Sequence, residues 1–278
     1  MAGMRYGGAD RATAGESGTL LLPPRLTASA ETLREAARRR GLHTVQLPTF
    51  AVPDGLRATC LHAGPSFADA VAAPLGLAPL EAPADWLAEL PRDLVRREIR
   101  ALPVREAYAL RRPVFVKSPN DKGIRAMVYA DGSRLPGPDA VDPQTLVLIS
   151  EVVTFAAEYR LYVLDGEVRT GSRYAEDGRL SPGPLGPDAA AFGAELLARC
   201  GDGLPSAIVV DIGLLDGNWA VIEANAAWAS GRYTSDPDLA LDVVLRSAGP
   251  AAHLAPRDRP FVRAATGDRA ELADARRN

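Results

Sequence analysis

Residues Ala207 to Asn225, AIVVDIGLLDGNWAVIEAN, decide how this chain is read. Two apolar, β-branched runs, Ala207–Leu215 and Trp219–Asn225, flank Asp216-Gly217-Asn218. Asp-Gly between two such runs is a strong hairpin signal. With a three-residue loop, Leu215 faces Trp219, and counting outward sets Asp211 opposite Glu223. Asn225 then points to the same face as Glu223, because strand side chains alternate. Two carboxylates directly across a ladder repel each other. A divalent cation between them reverses that sign, and the amide oxygen of Asn225 suits the same oxygen-preferring ion. The competing readings are a half-exposed strand face carrying a protonated acid, and a two-residue loop that shifts the register by one.

Composition bounds the rest. The 278 residues are enough for a well-buried core and two lobes. Lys+Arg 32 against Asp+Glu 35 leaves a net charge of −3, which gives no case for nucleic acid as a partner. No run approaches the roughly 18 apolar residues of a membrane span, so no membrane partner is expected. Residues 1–17 have no apolar signal-peptide core and read as a flexible lead-in. Cys60 and Cys200 form no CxxC or CxxH pattern, which fits reduced thiols in a cytoplasmic protein. Only Lys117 and Lys122 are lysines; every other basic residue is arginine. A compact ammonium on a flexible stem contacts phosphate as a point charge, whereas chance is the plain alternative for so close a pair.

Taken in order, Gly18–Leu22 reads as a strand, Thr27 or Ser29 caps a helix running to Gly41, and His43–Leu47 and Leu56–Leu61 are further strands, with a short helix at Ser66–Ala73. Alternating short strands and helices indicate a parallel α/β lobe over residues 18–82, and the absence of GxGxxG argues against a dinucleotide fold. His62 reads as a surface histidine at a strand end. From Pro83 to Leu102 the pattern is charged and helical, split at Pro91, with Arg92, Arg96, Arg97 and Arg100 as a solvated face. A second unit is expected over residues 83–250. Pro113–Lys117 is a strand delivering Lys117 into the turn-rich SPNDKG, which contains Lys122, and Ala126–Ala130 is the returning strand. Leu146–Val153 is an apolar run with one acid, Glu151, that needs a partner. Glu158–Leu164 and Glu167–Tyr174 form a second Asp-Gly hairpin; a two-residue turn pairs Arg160 with Gly171 and Glu158 with Arg173. Opposite a glycine, Arg160 has an open approach for a ligand oxygen, and the bland reading of Glu158 is a salt bridge to Arg173. Gly178–Gly186 is a turn-rich loop, Asp188–Cys200 a helix packed behind the Ala207–Asn225 hairpin, Ser230-Gly231 a turn beside its carboxylates, and Pro237–Ser247 a last helix. Residues 251–278 read as a flexible tail.

A lysine at a strand end, a turn-rich loop, an acid ending an apolar strand, a Glu-x-Arg strand and then Asp with a downstream Glu-x-Asn follow one another in an order similar to the ATP-grasp superfamily. VFVKSPNDKG, AEYRLYVLDG, VVDIG and WAVIEANAAWASGRY resemble a bacterial clade of ATP-grasp domain-containing proteins, over about Leu20 to Ser247 and most closely from Pro113 on. The resemblance implies an α/β (α+β) ATP-grasp fold: an N-terminal α/β lobe followed by two antiparallel-sheet-plus-helix subdomains that clasp ATP. It implies that Lys117 and Lys122 contact ATP phosphates, that Glu151 with the Val152-Val153 backbone holds the adenine edge, and that Glu158 takes the ribose hydroxyls. Asp211, Glu223 and Asn225 would ligate two Mg2+, Arg160 would steady the transferring phosphoryl group, and Ser230 and Gly231 would approach the second substrate. The activity implied is an ATP-dependent carboxylate–amine ligase acting on a small-molecule or peptide carboxylate, with a small-molecule kinase and a non-catalytic nucleotide-binding module as alternatives.

Overall fold

The computed structural model describes residues 18–120 and 123–264. The expectations for Lys122, for residues 1–17 and for residues 265–278 lie outside the described residues.

The chain opens with β1 (Thr19–Leu22), α1 (Ala28–Arg39), β2 (His43–Gln46) and β3 (Cys60–Leu61), which make a parallel sheet in the order β2-β1-β3. Thr27 caps α1, its hydroxyl accepting from the Ala30 N–H, with Glu31 in the first turn and Arg38 and Arg39 in the last, all favourable to the helix dipole. Only the last two residues of the expected third strand pair with β1, because the Thr59 hydroxyl takes the Thr19 N–H at 2.8 Å where a strand carbonyl would otherwise sit. Helix α2 (Pro65–Val71) closes this region.

Between Pro83 and Leu102 the expectation of a helix needs correction. Two single-turn helices, α3 (Trp86–Glu89) and α4 (Arg92–Val95), flank Pro91 as predicted, but Arg96 adopts a left-handed conformation (φ 53°) that ends α4. The chain then extends as β4 (Ile99–Pro103), followed by the short helix α5 (Val104–Ala107). With β5 (Val114–Lys117), β6 (Met127–Tyr129) and β7 (Leu146–Ser150), β4 builds an antiparallel sheet in the order β4-β7-β5-β6.

The largest sheet runs β10-β9-β8-β11-β12. It comprises β8 (Ala157–Leu164), β9 (Glu167–Glu176), β10 (Arg179–Pro184), β11 (Ala207–Leu215) and β12 (Asn218–Asn225). Its three hairpins turn on Asp165-Gly166, Asp177-Gly178 and Asp216-Gly217, each with positive φ at both residues, as a type I′ turn requires. The expected loop at Gly178–Gly186 is therefore mostly strand. Pro182 and Gly183 suggest a loop, but β10 is an edge strand with a bulge between Leu180 and Gly183, where a missing N–H is tolerated.

Strand β11 is buried on both faces, which accounts for its unbroken apolar run. Ile208, Val210 and Ile212 pack with Leu94, Phe192 and Leu196, the last two from α6 (Pro187–Cys200), so this helix backs the hairpin as expected. Ala207 and Val209 pack instead with Leu20, Leu22 and Leu33 of the N-terminal region and with Val243 and Val244 of α7 (Pro237–Ser247). Asp211 follows on that second face. Residues 251–264, expected as flexible tail, are packed: Pro250 and Val262 bridge Leu77 and Leu80, and buried Asp258 accepts from the N–H and hydroxyl of Ser206. Among the described residues, no helix is long and apolar enough to cross a membrane.

Candidate active site

The hairpin pairs Asp211 with Glu223 as expected, by a different route. The turn has two residues, so Leu215 faces Asn218 and not Trp219. Left alone, that register would have slipped Glu223 past Asp211. A bulge between Asp211 and Ile212 leaves Ile222 without a partner and restores the pairing. The bulge has a visible cause. Arg97, read from sequence as part of a solvated face, is buried and donates to the Val221 and Ile222 carbonyls at 2.7 and 3.1 Å, with Val95 O as a third acceptor. Burial pulls this guanidinium down to about 10, with the charge of Glu223 opposing.

A row of side chains crosses the sheet from Glu223 on β12 through Asp211 on β11 to Arg160 on β8 and Ser172 on β9. Two irregularities in the β8–β9 ladder move Arg160 opposite Ser172, not Gly171, and Glu158 opposite Ala175, not Arg173. The expected salt bridge from Glu158 to Arg173 does not form. Tyr174 Oη donates to Glu158 at 2.6 Å, and Arg173 pairs with Glu176. Nor is Arg160 open to a ligand. Its Nε and Nη2 grip both oxygens of Asp211 at 2.9 and 2.7 Å, Nη1 donates to Gly231 O at 3.0 Å, and the guanidinium lies over the stacked rings of Tyr174 and Tyr233. Burial would lower Arg160, but the charge and hydrogen bonds of Asp211 hold it above its ordinary range, so the pair is ionised.

Lys117 leaves β5 and hydrogen-bonds Glu223 Oε2. Asn225 Nδ2 donates to Asp211 Oδ2 at 3.2 Å and to Glu223 Oε1 at 2.8 Å. Burial pushes Glu223 up, but the Lys117 ammonium, with bonds from Asn225 and Lys117, holds it below the usual carboxylate range. Three donors thus offset a repulsion that would otherwise separate the strands. Turning the Asn225 amide over would place its oxygen between the two carboxylates, giving an all-oxygen set that fits a hard divalent cation. Among the described residues no group of three or more His, Cys, Asp and Glu side chains forms, so the candidate set is two carboxylates and one amide.

Beside Asn225 and Lys117 opens a cavity of about 770 Å3, walled by the N-terminal region (Arg25, Ser29, His62), the loop after β5 and the segment Ala226–Gly231. More than half of the chain's length, residues 94–243, matches the sequence profile of an ATP-grasp domain, family 2 of its clade. The chain belongs to that family. Solved structures similar to this ATP-grasp protein include the ATP-grasp ligase PsnB complexed with minimal precursor, at 14% identity over 84% of this chain and 99% of that one, TM-score 0.46. A RimK domain protein ATP-grasp from Sphaerobacter thermophilus aligns at 18% identity over 82% and 99%, TM-score 0.46. The D-alanine–D-alanine ligase from Bacillus anthracis aligns at 14% identity over 84% and 97%, TM-score 0.46. No curated protein matches the chain.

The remaining expected site residues of this ATP-grasp domain are dispersed around that centre. Glu151 is exposed at the end of β7, where it accepts from the Glu98 N–H at 2.7 Å and from Arg92, so its partner is β4. The Glu98 N–H contributes most to holding this carboxyl below its usual range. The backbone of Val152 and Val153 makes no hydrogen bond to other described residues. Gly231 lines the cavity, as does Ser230, whose hydroxyl is committed to Ala226 O at 2.8 Å. Sequence reading passed over Arg97, Tyr174, Tyr233 and His62. Far from being a surface residue, His62 is 4% exposed with its Nδ1 unpartnered; burial pushes the imidazole down to about 4, opposed in part by the Trp228 backbone.

Proposed function

We propose that this ATP-grasp protein is an ATP-dependent carboxylate–amine ligase, which activates a carboxylate as an acyl-phosphate and joins it to an amine with release of ADP and phosphate. The observation that carries the reading is the convergence of Asp211, Glu223, Asn225 and Lys117 at the mouth of a cavity large enough for a metabolite. Phosphoryl transfer needs positioning and charge neutralisation more than covalent help from the protein. Asp211, Glu223 and Asn225 would hold Mg2+, which neutralises phosphate charge when bound. Lys117, released from Glu223 as that carboxylate turns to the metal, would pair with ATP phosphates, and Lys122 in the same loop would do likewise. The free backbone groups of Val152 and Val153 suit the adenine edge, with Glu151 bracing them from β4 and Glu158 beside them for the ribose. Arg160 would fix Asp211 in place and steady the transferring phosphoryl group from behind it. Ser230 and Gly231 would form the cavity wall beside the second substrate. In this reading residues 18–82 form the lobe that completes the cavity, and residues 83–250 the ATP-grasp domain.

The test is calorimetry of ATP with and without Mg2+, followed by ADP release across pairs of acids and amines. Mg2+-strengthened binding and ADP release that requires both an acid and an amine are the expected results. ADP release that needs a hydroxyl compound and no amine would make the protein a kinase. No ATP binding under either condition would remove the enzymatic reading.

A further inference from the structure

The cavity holds charges that phosphoryl transfer does not use. Four ionic side chains line it: Lys117, Glu81, Arg25 and Arg125. Lys117 is taken by Glu223 and Glu81 by Arg263, whose Nη1 donates to it at 2.6 Å. Arg25 and Arg125 make no side-chain hydrogen bond or ion pair with any described residue, so two guanidinium charges enter the cavity without a counter-charge. Arg25 immediately precedes α1, whose first turn also lines the cavity through Thr27, Ser29 and Ala30. The amides of Ala28 and Ser29 bond to no described residue, and a helix N-terminus with free N–H groups attracts anions. His62, in the same wall, is 4% exposed and its Nδ1 has no partner. An orphaned polar atom at that depth costs stability unless a ligand or water satisfies it, and a neutral imidazole can supply one N–H to a carboxylate.

We propose that Arg25, Arg125, His62 and the first turn of α1 form a carboxylate subsite, and that the cavity takes a small acid with two carboxylates, one held here and the other presented to Asn225 and Lys117. This rests on the ligase reading for the fate of the second carboxylate, but not for the existence of the subsite. Guanidinium groups and helix amides both favour a planar, singly charged acceptor over a neutral amide of the same shape, because each bond to an ionised oxygen is stronger. The half-amide of the same acid is therefore the informative comparison.

The experiment uses the full chain saturated with ADP and Mg2+, titrated calorimetrically with succinate, glutarate and adipate and with the half-amide of each. At least one diacid should bind about tenfold more tightly than its half-amide, the preference expected of charge-assisted bonds. Arg25→Gln and Arg125→Gln should each erase that gap while ADP affinity stays unchanged. Equal binding of diacids and half-amides, or a gap that survives both substitutions, would overturn the subsite. A tripeptide with a free C-terminus that binds better than its amide, where the diacids do not, would overturn the small-acid assignment. If ADP with Mg2+ fails to bind, the ligase reading falls, and the same titrations without nucleotide still judge the subsite.

Discussion

Glu223 sits between Lys117 and Asn225 and can lose its charge without stranding a buried partner at the centre of the sheet. Glu223→Gln should therefore keep the fold, shifting the thermal midpoint by no more than a few degrees, while removing the Mg2+ dependence of ATP binding and lowering turnover by about 100-fold or more. Full activity would remove Glu223 from the metal site. Asp211→Asn is a harsher change. It leaves the Arg160 guanidinium facing a neutral amide in a buried position, so a stability loss of about 3 kcal/mol or more accompanies the loss of turnover. His62 gives a prediction in pH. Its folded value near 4 lies below the ordinary 6.5, so between these values the unfolded chain binds the proton and the folded chain does not. Stability should fall as pH drops from 7 towards 4, by about 3 kcal/mol from this group, and His62→Gln should flatten that part of the profile in denaturant titrations. Residue types at the carboxylate pair were legible from sequence because hairpin periodicity fixes which side chains share a face. Arg97 and His62 were not, since an arginine among arginines and a histidine after a strand carry no periodic signal of their burial.

At the scale of elements, the β11–β12 hairpin depends on a short turn and a bulge that act together. Gly217 has a φ of 75° with open space around its Cα, so Gly217→Ala tests the backbone alone and should cost about 1 kcal/mol. Asp216→Asn, which keeps a residue tolerant of positive φ, should be near neutral in the same unfolding assay. The bulge is tied down by Arg97, and Arg97→Met would leave the Val221 and Ile222 carbonyls without their donor. The expected loss is about 2–3 kcal/mol together with weakened Mg2+-dependent ATP binding, because Glu223 is carried by the same irregularity. An unchanged metal response in a folded Arg97→Met protein would show that the turn alone sets the register. Here the sequence led to the right pair through a loop one residue too long, which the bulge offset. For β8–β9 no such cancellation occurred, and the two irregularities there moved Arg160 and Glu158 away from their expected partners.

Across the whole molecule, the segment after α7 binds distant parts together. The Arg263 guanidinium, 3% exposed, grips Asp69 of the N-terminal region at 2.7 and 3.1 Å, Glu81 at 2.6 Å and the Asn120 carbonyl in the loop after β5 at 3.3 Å. Arg263→Ala should destabilise the protein by about 3–5 kcal/mol by leaving two carboxylates without their shared cation, and Arg263→Lys should recover only part of this because the forked geometry is lost. A melting point unchanged in Arg263→Ala would return residues 251–264 to the role of a dispensable tail. The sequence by itself determined the hairpins, the strands that carry Lys117, Arg160, Asp211 and Glu223, the helices α1, α6 and α7, and the family, since turn chemistry, capping and periodicity are local. Only the tertiary structure decided which charges meet. Arg160 closes on Asp211, Lys117 crosses from another sheet to Glu223, and Arg97 fixes the bulge, because these contacts join segments about 50 to 125 residues apart, whose pairing depends on the packing of whole sheets rather than on any local pattern.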